Sequence, residues 1–307
     1  MINIGGFGHS GNTALVDFFA DSPEICPVGY DFTETAILRS KWGFRAIFSN
    51  FKNETPFIDW CLIQDCLLGV TRLSHHNLSP PVSHDFARNA RVRGYLGAEY
   101  EVITIDFIEK LAKVYSKKCT DTTAALDLSK SFLDSISDLA TKKSGRQSAI
   151  PMMRNDPAAA NIDLLGFSNF KAHFTIVRDP GDMMYDWITY YKHGNDLLGA
   201  ELFSKQFVKK INSFIEMYEI LPYSVKSVIK ILKFEDLVRS QHVQVKLCDI
   251  VNIKRSSTSL RFQPKVSEKN IGISQYLSND GKAEVEQKCV PAFMKLLDYL
   301  PSNCIIE

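Results

Sequence analysis

The sequence predicts a three-layer α/β fold built on a central, mainly parallel sheet with right-handed crossovers. Two observations predict it. Short apolar runs at residues 2–5, 173–177 and 227–234 have the length and composition of strands buried on both faces. Helix-forming stretches follow several of them: 11–20 carries Leu15, Val16, Phe18 and Phe19, and 182–193 carries Met183, Met184, Trp187, Ile188 and Tyr191 near helical spacing.

A fourth strand is expected at 148–153. Between about 55 and 142 the pattern changes: 57–73 and 102–115 read as amphipathic helices, and the section reads as a helical insertion covering one edge of the sheet. Residues 77–84, with the paired Pro80 and Pro81, read as an irregular loop. The 307 residues are 45% apolar and show no linker, repeat or low-complexity tract, so one domain over 1–307 is expected.

The 36 basic and 35 acidic residues leave a net charge of +1, which excludes a non-specific nucleic-acid surface and an acidic partner arm. The seven cysteines (26, 61, 66, 119, 248, 289 and 304) form no CxxC pair and read as reduced thiols, so no metal is expected. A strand beginning at Ile2 leaves no room for a signal peptide, and no apolar run approaches the roughly 20 residues of a membrane span. A cytoplasmic protein without stable membrane insertion is expected. Its oligomeric state is not indicated.

Strand 2–5 runs into Gly6-Phe7-Gly8-His9-Ser10-Gly11-Asn12-Thr13, with a helix opening near Gly11. Glycines let a backbone approach an anion closely, and a helix start offers N–H donors and a positive dipole. Ser10, Asn12 and Thr13 add short polar side chains. The pattern is that of a Walker A loop with Asn12 in place of the lysine, a loss that should disable phosphoryl transfer. Taken alone, the loop also fits a structural glycine turn.

Two further strand ends carry polar groups. Arg178-Asp179-Pro180-Gly181-Asp182 places a guanidinium at the carboxyl edge of the sheet, where open α/β sheets bind ligands. A guanidinium fork matches two phosphate oxygens, although an Arg178–Asp182 surface pair fits the spacing as well. Phe234-Glu235-Asp236-Leu237 puts acids at a helix start, which the dipole favours. Late in the chain, Ser267-Glu268-Lys269-Asn270-Ile271-Gly272 offers a lysine and an amide beside a glycine.

In that order, GFGHSGNT, RDPGD, FEDL and SEKNIG resemble the sulfotransferase family that uses 3′-phosphoadenosine 5′-phosphosulfate (PAPS). The resemblance covers the sheet-forming parts of the chain, not the insertion, and implies a fold like that of P-loop NTPases. It implies that Gly8, His9, Ser10, Gly11, Asn12 and Thr13 hold the 5′-phosphosulfate. Arg178 would bind the 3′-phosphate, while Lys269, Asn270 and Gly272 close over that side of the adenosine. Adenosine 3′,5′-bisphosphate would be the product, and Glu235-Asp236 would be structural. The resemblance departs at two points. His9 stands where many members place Lys or Arg to support the leaving phosphate, and Asp186 stands where a serine often joins the arginine.

Sulfuryl transfer needs a base for the acceptor hydroxyl, positive groups around the transferring oxygens, and positioning. Glu34 is the favoured base, because its spacing to Arg39 resembles the E-x-x-x-x-R of some carbohydrate sulfotransferases; His9 is the second candidate for a catalytic role. Asp31 is the nearest rival to Glu34, and His75, His76 or His84 could supply an imidazole. The acceptor is expected to be a hydroxyl of a saccharide or glycolipid, with Arg88, Arg91, Arg93, Lys192 and His193 as contacts for an anionic sugar. Trp42, Trp60 and Trp187 read as core. The competing readings are a P-loop nucleotide kinase or hydrolase, and a non-catalytic binding protein that kept the fold.

Overall fold

The structure, a computed structural model, describes residues 1–29, 35–38, 40, 42–53, 59–71, 80–116, 122–146, 148–155, 165–166, 169–256 and 260–307. In chain order its elements begin β1 (Ile2–Gly6), α1 (Asn12–Ala20), β2 (Ile25–Pro27), α2 (Phe44–Asn53), α3 (Trp60–Leu68) and α4 (Pro80–Leu96). They continue α5 (Ala98–Ser116), α6 (Thr122–Ser144), β3 (Ile150–Arg154), β4 (Ala172–Val177), α7 (Pro180–Tyr191) and α8 (Leu197–Ile220). After α9 (Tyr223–Lys226) come β5 (Ile229–Lys233), α10 (Phe234–Arg239), α11 (Gln241–Val251), seven shorter helical segments and β6 (Ile305–Ile306). The strands form one six-stranded sheet in the order β2-β3-β1-β4-β5-β6. The pairs β2–β3, β4–β5 and β5–β6 are all parallel, in keeping with the mainly parallel sheet expected.

The chain divides into two compact units. The first comprises Met1–Asn3, Pro23–Asp156 and Leu164–Lys171, and holds β2, β3 and α2–α6. Here α6 packs against both strands. Phe107 and Phe132 stack with ring centroids 4.3 Å apart, and Phe44 touches both at 5.7 and 5.9 Å. Pro80 and Pro81 do not make an irregular loop. They open α4, because the first turn of a helix needs no N–H from its residues and a proline's fixed φ suits it.

The second unit comprises Ile4–Ser22, Pro157–Asp163 and Ala172–Glu307. Every residue of β4 is buried, and α1 packs Leu15, Val16 and Phe19 inward, with Phe19 set 5.2 Å from Phe174 of β4. The expected strand at 227–234 is shorter than its apolar run: Pro222 starts the helical turn α9, and Phe234 already belongs to α10. The sequence pattern misses β2 and β6, of three and two residues, which are too short to show a period. Pro27 is tolerated in β2 because that strand is at the edge of the sheet. No helix among the described residues is long and apolar enough to cross a membrane.

His173 is buried in β4, with Nε2 3.0 Å from Thr175 Oγ1. Burial pushes its pKa down from 6.5 to about 3. The folded state therefore refuses a proton that the unfolded chain accepts, so stability is full above pH 6.5 and declines as pH falls toward about 3. The expected decline is about 1.4 kcal/mol per pH unit. Chemical denaturation of wild type and His173→Gln across this range checks it, since the substitution should flatten the slope.

Candidate active site

The glycine loop, Arg178, Asp186 and the late loop at 267–272 belong to the second unit. β1 ends at Gly6, and a Cβ there would collide with Ser10 Oγ and Asn12 Oδ1 and stand 2.9 Å from the Ile176 carbonyl of β4. Glycine is thus required for the loop to turn back against the sheet. Gly8 and His9 take successive left-handed conformations, with φ of 83° and 54°. Consecutive left-handed and turn conformations turn backbone amides toward one concavity, the geometry of anion nests. Gly11 (φ 92°) precedes α1, and no side chain caps that helix start.

Ser10 and Asn12 are buried and bonded to each other, Ser10 Oγ donating to Asn12 Oδ1 at 3.2 Å. The Ser10 hydroxyl, expected as a ligand donor, instead braces the inside of the loop. Thr13 is exposed on the first turn of α1. The cradle is therefore chiefly backbone.

Arg178 extends from the end of β4 and is 2% exposed. Its Nη1 donates to the His9 carbonyl at 3.1 Å and to Asp186 Oδ2 at 3.3 Å, and its Nη2 donates to the Asn270 carbonyl. The guanidinium lies 5.3 Å from the ring centroid of Phe234. The same ring fills the space that a Cβ on Gly11 would need. Phe234 is thus a common floor for the loop and the arginine. Among the described residues, the buried Arg178 Nε has no hydrogen-bond partner. An orphaned buried donor costs about 1–3 kcal/mol, a penalty that an anionic ligand would relieve.

The two acids of the RDPGD segment do not pair with Arg178. Asp179 caps α7, its Oδ1 accepting from the Asp182 N–H at 2.9 Å. Asp182 is buried, and its carboxylate accepts the backbone N–H groups of Gly272 and Ser274, both at 2.8 Å. This pins the late loop to α7 and holds Asn270 against the arginine. Asn195 adds a second tie, through the Tyr276 carbonyl and the Ser278 N–H. Glu235 of FEDL accepts the Asp179 N–H at 2.9 Å; burial pushes its carboxyl pKa up, and that hydrogen bond opposes the shift. Both motifs are therefore backbone clamps around Arg178.

Asp186 lies between Arg178 and His9, with Oδ2 3.3 Å from each donor. Burial works to raise its pKa, but the hydrogen bond and charge of His9, with those of Arg178, outweigh it and hold the carboxyl below its usual range. The His9 ring also meets Tyr190 and Tyr191 edge-on at 5.4 and 5.6 Å, and both tyrosines are exposed. Behind them Trp187, core as expected, stacks on His193 at 4.4 Å.

The structure brings together Gly8, His9, Ser10, Gly11, Asn12, Arg178, Asp186, Asn270 and Gly272 of the expected set. Lys269 is exposed and has no described side-chain partner near Arg178. Glu34, Asp31, Arg39, His75 and His76 lie outside the described residues, and His84 is exposed on α4 in the first unit. Arg88 and Arg93 pair with Asp85 at 3.3 Å and Glu101 at 3.8 Å, as a solvated helix face does. Sequence reasoning missed three contributors: Phe234 as a floor, Asp182 as a clamp, and Lys210 of α8, whose Nζ donates to the Phe7 carbonyl at 2.9 Å. Asp182 carried a signal, an acid in the first turn of a helix with apolar neighbours. Lys210 carried none.

No protein family matches the sequence, and no curated protein matches it. Among solved structures the chain is similar to the sulfotransferase domain of the Synechococcus PCC 7002 olefin synthase, at 15% identity and a TM-score of 0.43, over 93% of each chain. It is also similar to the sulfotransferase domain from the curacin biosynthetic pathway, at 13% identity and a TM-score of 0.42, over 94% of this chain and 96% of that one.

Asp182→Ala should free the late loop by leaving two amides without their carboxylate. The expected loss is about 2 kcal/mol or more, with faster hydrogen exchange at 270–276 and unchanged exchange in β4. Asp182→Asn, which keeps one acceptor oxygen, should fall between.

Proposed function

We propose that this chain is a PAPS-dependent sulfotransferase, and that the second unit holds its donor. The observation that carries this reading is Arg178: a buried guanidinium with an orphaned Nε, at the carboxyl edge of the sheet, beside a glycine loop that lacks the Walker lysine. An arginine aimed across the loop suits a nucleotide with one phosphate group at each end, and the loop without its lysine does not suit a triphosphate.

When bound, the donor supplies an activated sulfuryl group on a phosphate leaving group. The chain supplies placement and charge. Backbone groups of Gly8 to Asn12 cradle the 5′ end, and Arg178 takes the 3′-phosphate through its unused Nε edge. Asn270 and Gly272, fixed by Asp182, close that side. His9 donates toward the loop mouth. Glu34 is proposed as the base that takes the acceptor proton, and the acceptor is proposed to be a hydroxyl of a carbohydrate or glycolipid. The exposed rings of Tyr190 and Tyr191 beside His9 suit the apolar face of a sugar ring.

Thermal-shift measurement tests the reading, because a ligand stabilises the state it binds by mass action. Adenosine 3′,5′-bisphosphate should raise the Tm, AMP should do so weakly, and Arg178→Met should abolish the difference. An equal response to ATP with Mg²⁺ would sink it. Glu34→Gln should bind the bisphosphate normally and lose sulfate transfer from PAPS to a sugar panel.

Asp186 competes with the ligand for Arg178. Asp186→Asn should therefore bind the bisphosphate several-fold more tightly than wild type. The sign of the pH effect follows from its depressed pKa. The ion pair is in force above the unfolded carboxyl range and is lost as pH falls through the folded value. Wild-type affinity, measured by calorimetry, should rise relative to Asp186→Asn only below the usual carboxylate range.

A further inference from the structure

Helices α7 and α8 meet in a turn where ten consecutive residues, 189–198, are exposed. Two pairs of large apolar side chains stand on it, Tyr190 with Tyr191 and Leu197 with Leu198, and Leu202 follows one turn down α8. These five are between 41% and 70% exposed. Apolar surface is stabilised by leaving water, so a cluster of this kind on a hairpin tip marks a surface that meets something. We propose that the tip is a docking surface for an anionic lipid layer.

The exposure is built into the turn. A Cβ on Gly199 would collide with the Gly194 carbonyl, so the chain can close there only with glycine. Asp196 caps α8 by accepting the Gly199 N–H at 2.9 Å. Asn195 ties the turn to the segment after the late loop, donating to the Tyr276 carbonyl at 3.0 Å and accepting the Ser278 N–H at 3.1 Å. Behind the tip, Trp187 stacks on His193 at 4.4 Å. Asn195 and Asp196 thus face backbone groups, and the tyrosines and leucines are held outward.

The order of side chains along α8 identifies the occupant. Leu198, Leu202, Lys205 and Lys209 stand at i, i+4, i+7 and i+11, so one exposed stripe passes from apolar at the tip to cationic behind it. From Leu202 to Lys209 the helix rises about 10 Å. A lipid interface changes from acyl chains to charged headgroups over a similar depth. Lys192, exposed on the turn, adds a third cation, while the acid Glu201 shares a groove with Lys288. Tyrosine rings, apolar in the body and polar at the tip, suit the same boundary. A protein partner or a second copy of the chain asks for no such order along the helix axis.

Docking would also bring the glycine loop to the lipid. The His9 ring lies 5.4 and 5.6 Å from those of Tyr190 and Tyr191, so a hydroxyl carried on a lipid would arrive beside the loop. That consequence rests on the acceptor reading above; the docking itself does not.

Co-sedimentation of the full chain with vesicles tests the proposal and needs no nucleotide. Vesicles of phosphatidylcholine with phosphatidylglycerol should bind wild type, phosphatidylcholine alone should bind it about tenfold less, and added salt should narrow the difference. Leu197→Ser/Leu198→Ser/Leu202→Ser should bind the anionic vesicles about tenfold less than wild type. Its Tm should be unchanged, because the altered side chains already stand in water. Lys205→Glu/Lys209→Glu, which keeps the leucines, should lose the preference for the anionic vesicles. Equal binding of wild type to the two vesicles overturns the proposal, and so does undiminished binding of either variant to the anionic ones. Self-association of wild type that the serine variant abolishes, without vesicle binding, assigns the tip to a second copy instead. Failure to bind adenosine 3′,5′-bisphosphate would remove the donor reading and leave the vesicle result standing.

Discussion

Arg178 organises the site because a buried guanidinium cannot stand without partners on several sides. Taking such a charge out of water is costly unless its donors are met and its charge is answered. Here the His9 carbonyl, the Asn270 carbonyl and the Asp186 carboxylate answer it, over the ring of Phe234. Each partner comes from a different element: the glycine loop, the late loop, α7 and α10. Satisfying one side chain therefore fixes four segments relative to one another. Among the described residues, its Nε–H is left without a partner.

The acids around it act on backbone more than on charge. Asp179, Asp182 and Glu235 all spend their oxygens on amide N–H groups, at the start of α7 and in the late loop. A carboxylate bonded to N–H groups at a helix start gains from the dipole and keeps the turn from fraying. This explains why an arginine at a strand end is followed by two aspartates without being neutralised by either. Among the described residues, Asp186, two turns of helix away from Asp179, is the one acid that reaches the guanidinium.

Much of the fold was legible because buried parallel strands announce themselves as apolar runs, and β1, β4 and β5 all fall on such runs. The strands that escaped, β2 and β6, are too short for any period and exist only because neighbours offer them a ladder. Pro80 and Pro81 misled because a proline pair forbids a helix interior yet suits a helix start. At the site, the glycines were readable, since each answers a steric need close in sequence. Phe234 and Lys210 were not, because their roles depend on what lies across from them, over two hundred residues from the loop. Ser10 reads from the sequence as a short polar group without an orientation; its bond to Asn12 and its closeness to Gly6 place the hydroxyl inside the loop.

The shared floor under Gly11 and Arg178 has a temporal side. During synthesis the loop at residues 6–13 leaves the ribosome more than two hundred residues ahead of Phe234 and Asn270. Until then the arginine has neither its ring nor its second carbonyl, and nothing fills the space beside Gly11. A nascent chain can thus form β1 and α1 without the finished arginine site. The surroundings of Arg178 are therefore complete only once the carboxyl-terminal third has folded against it.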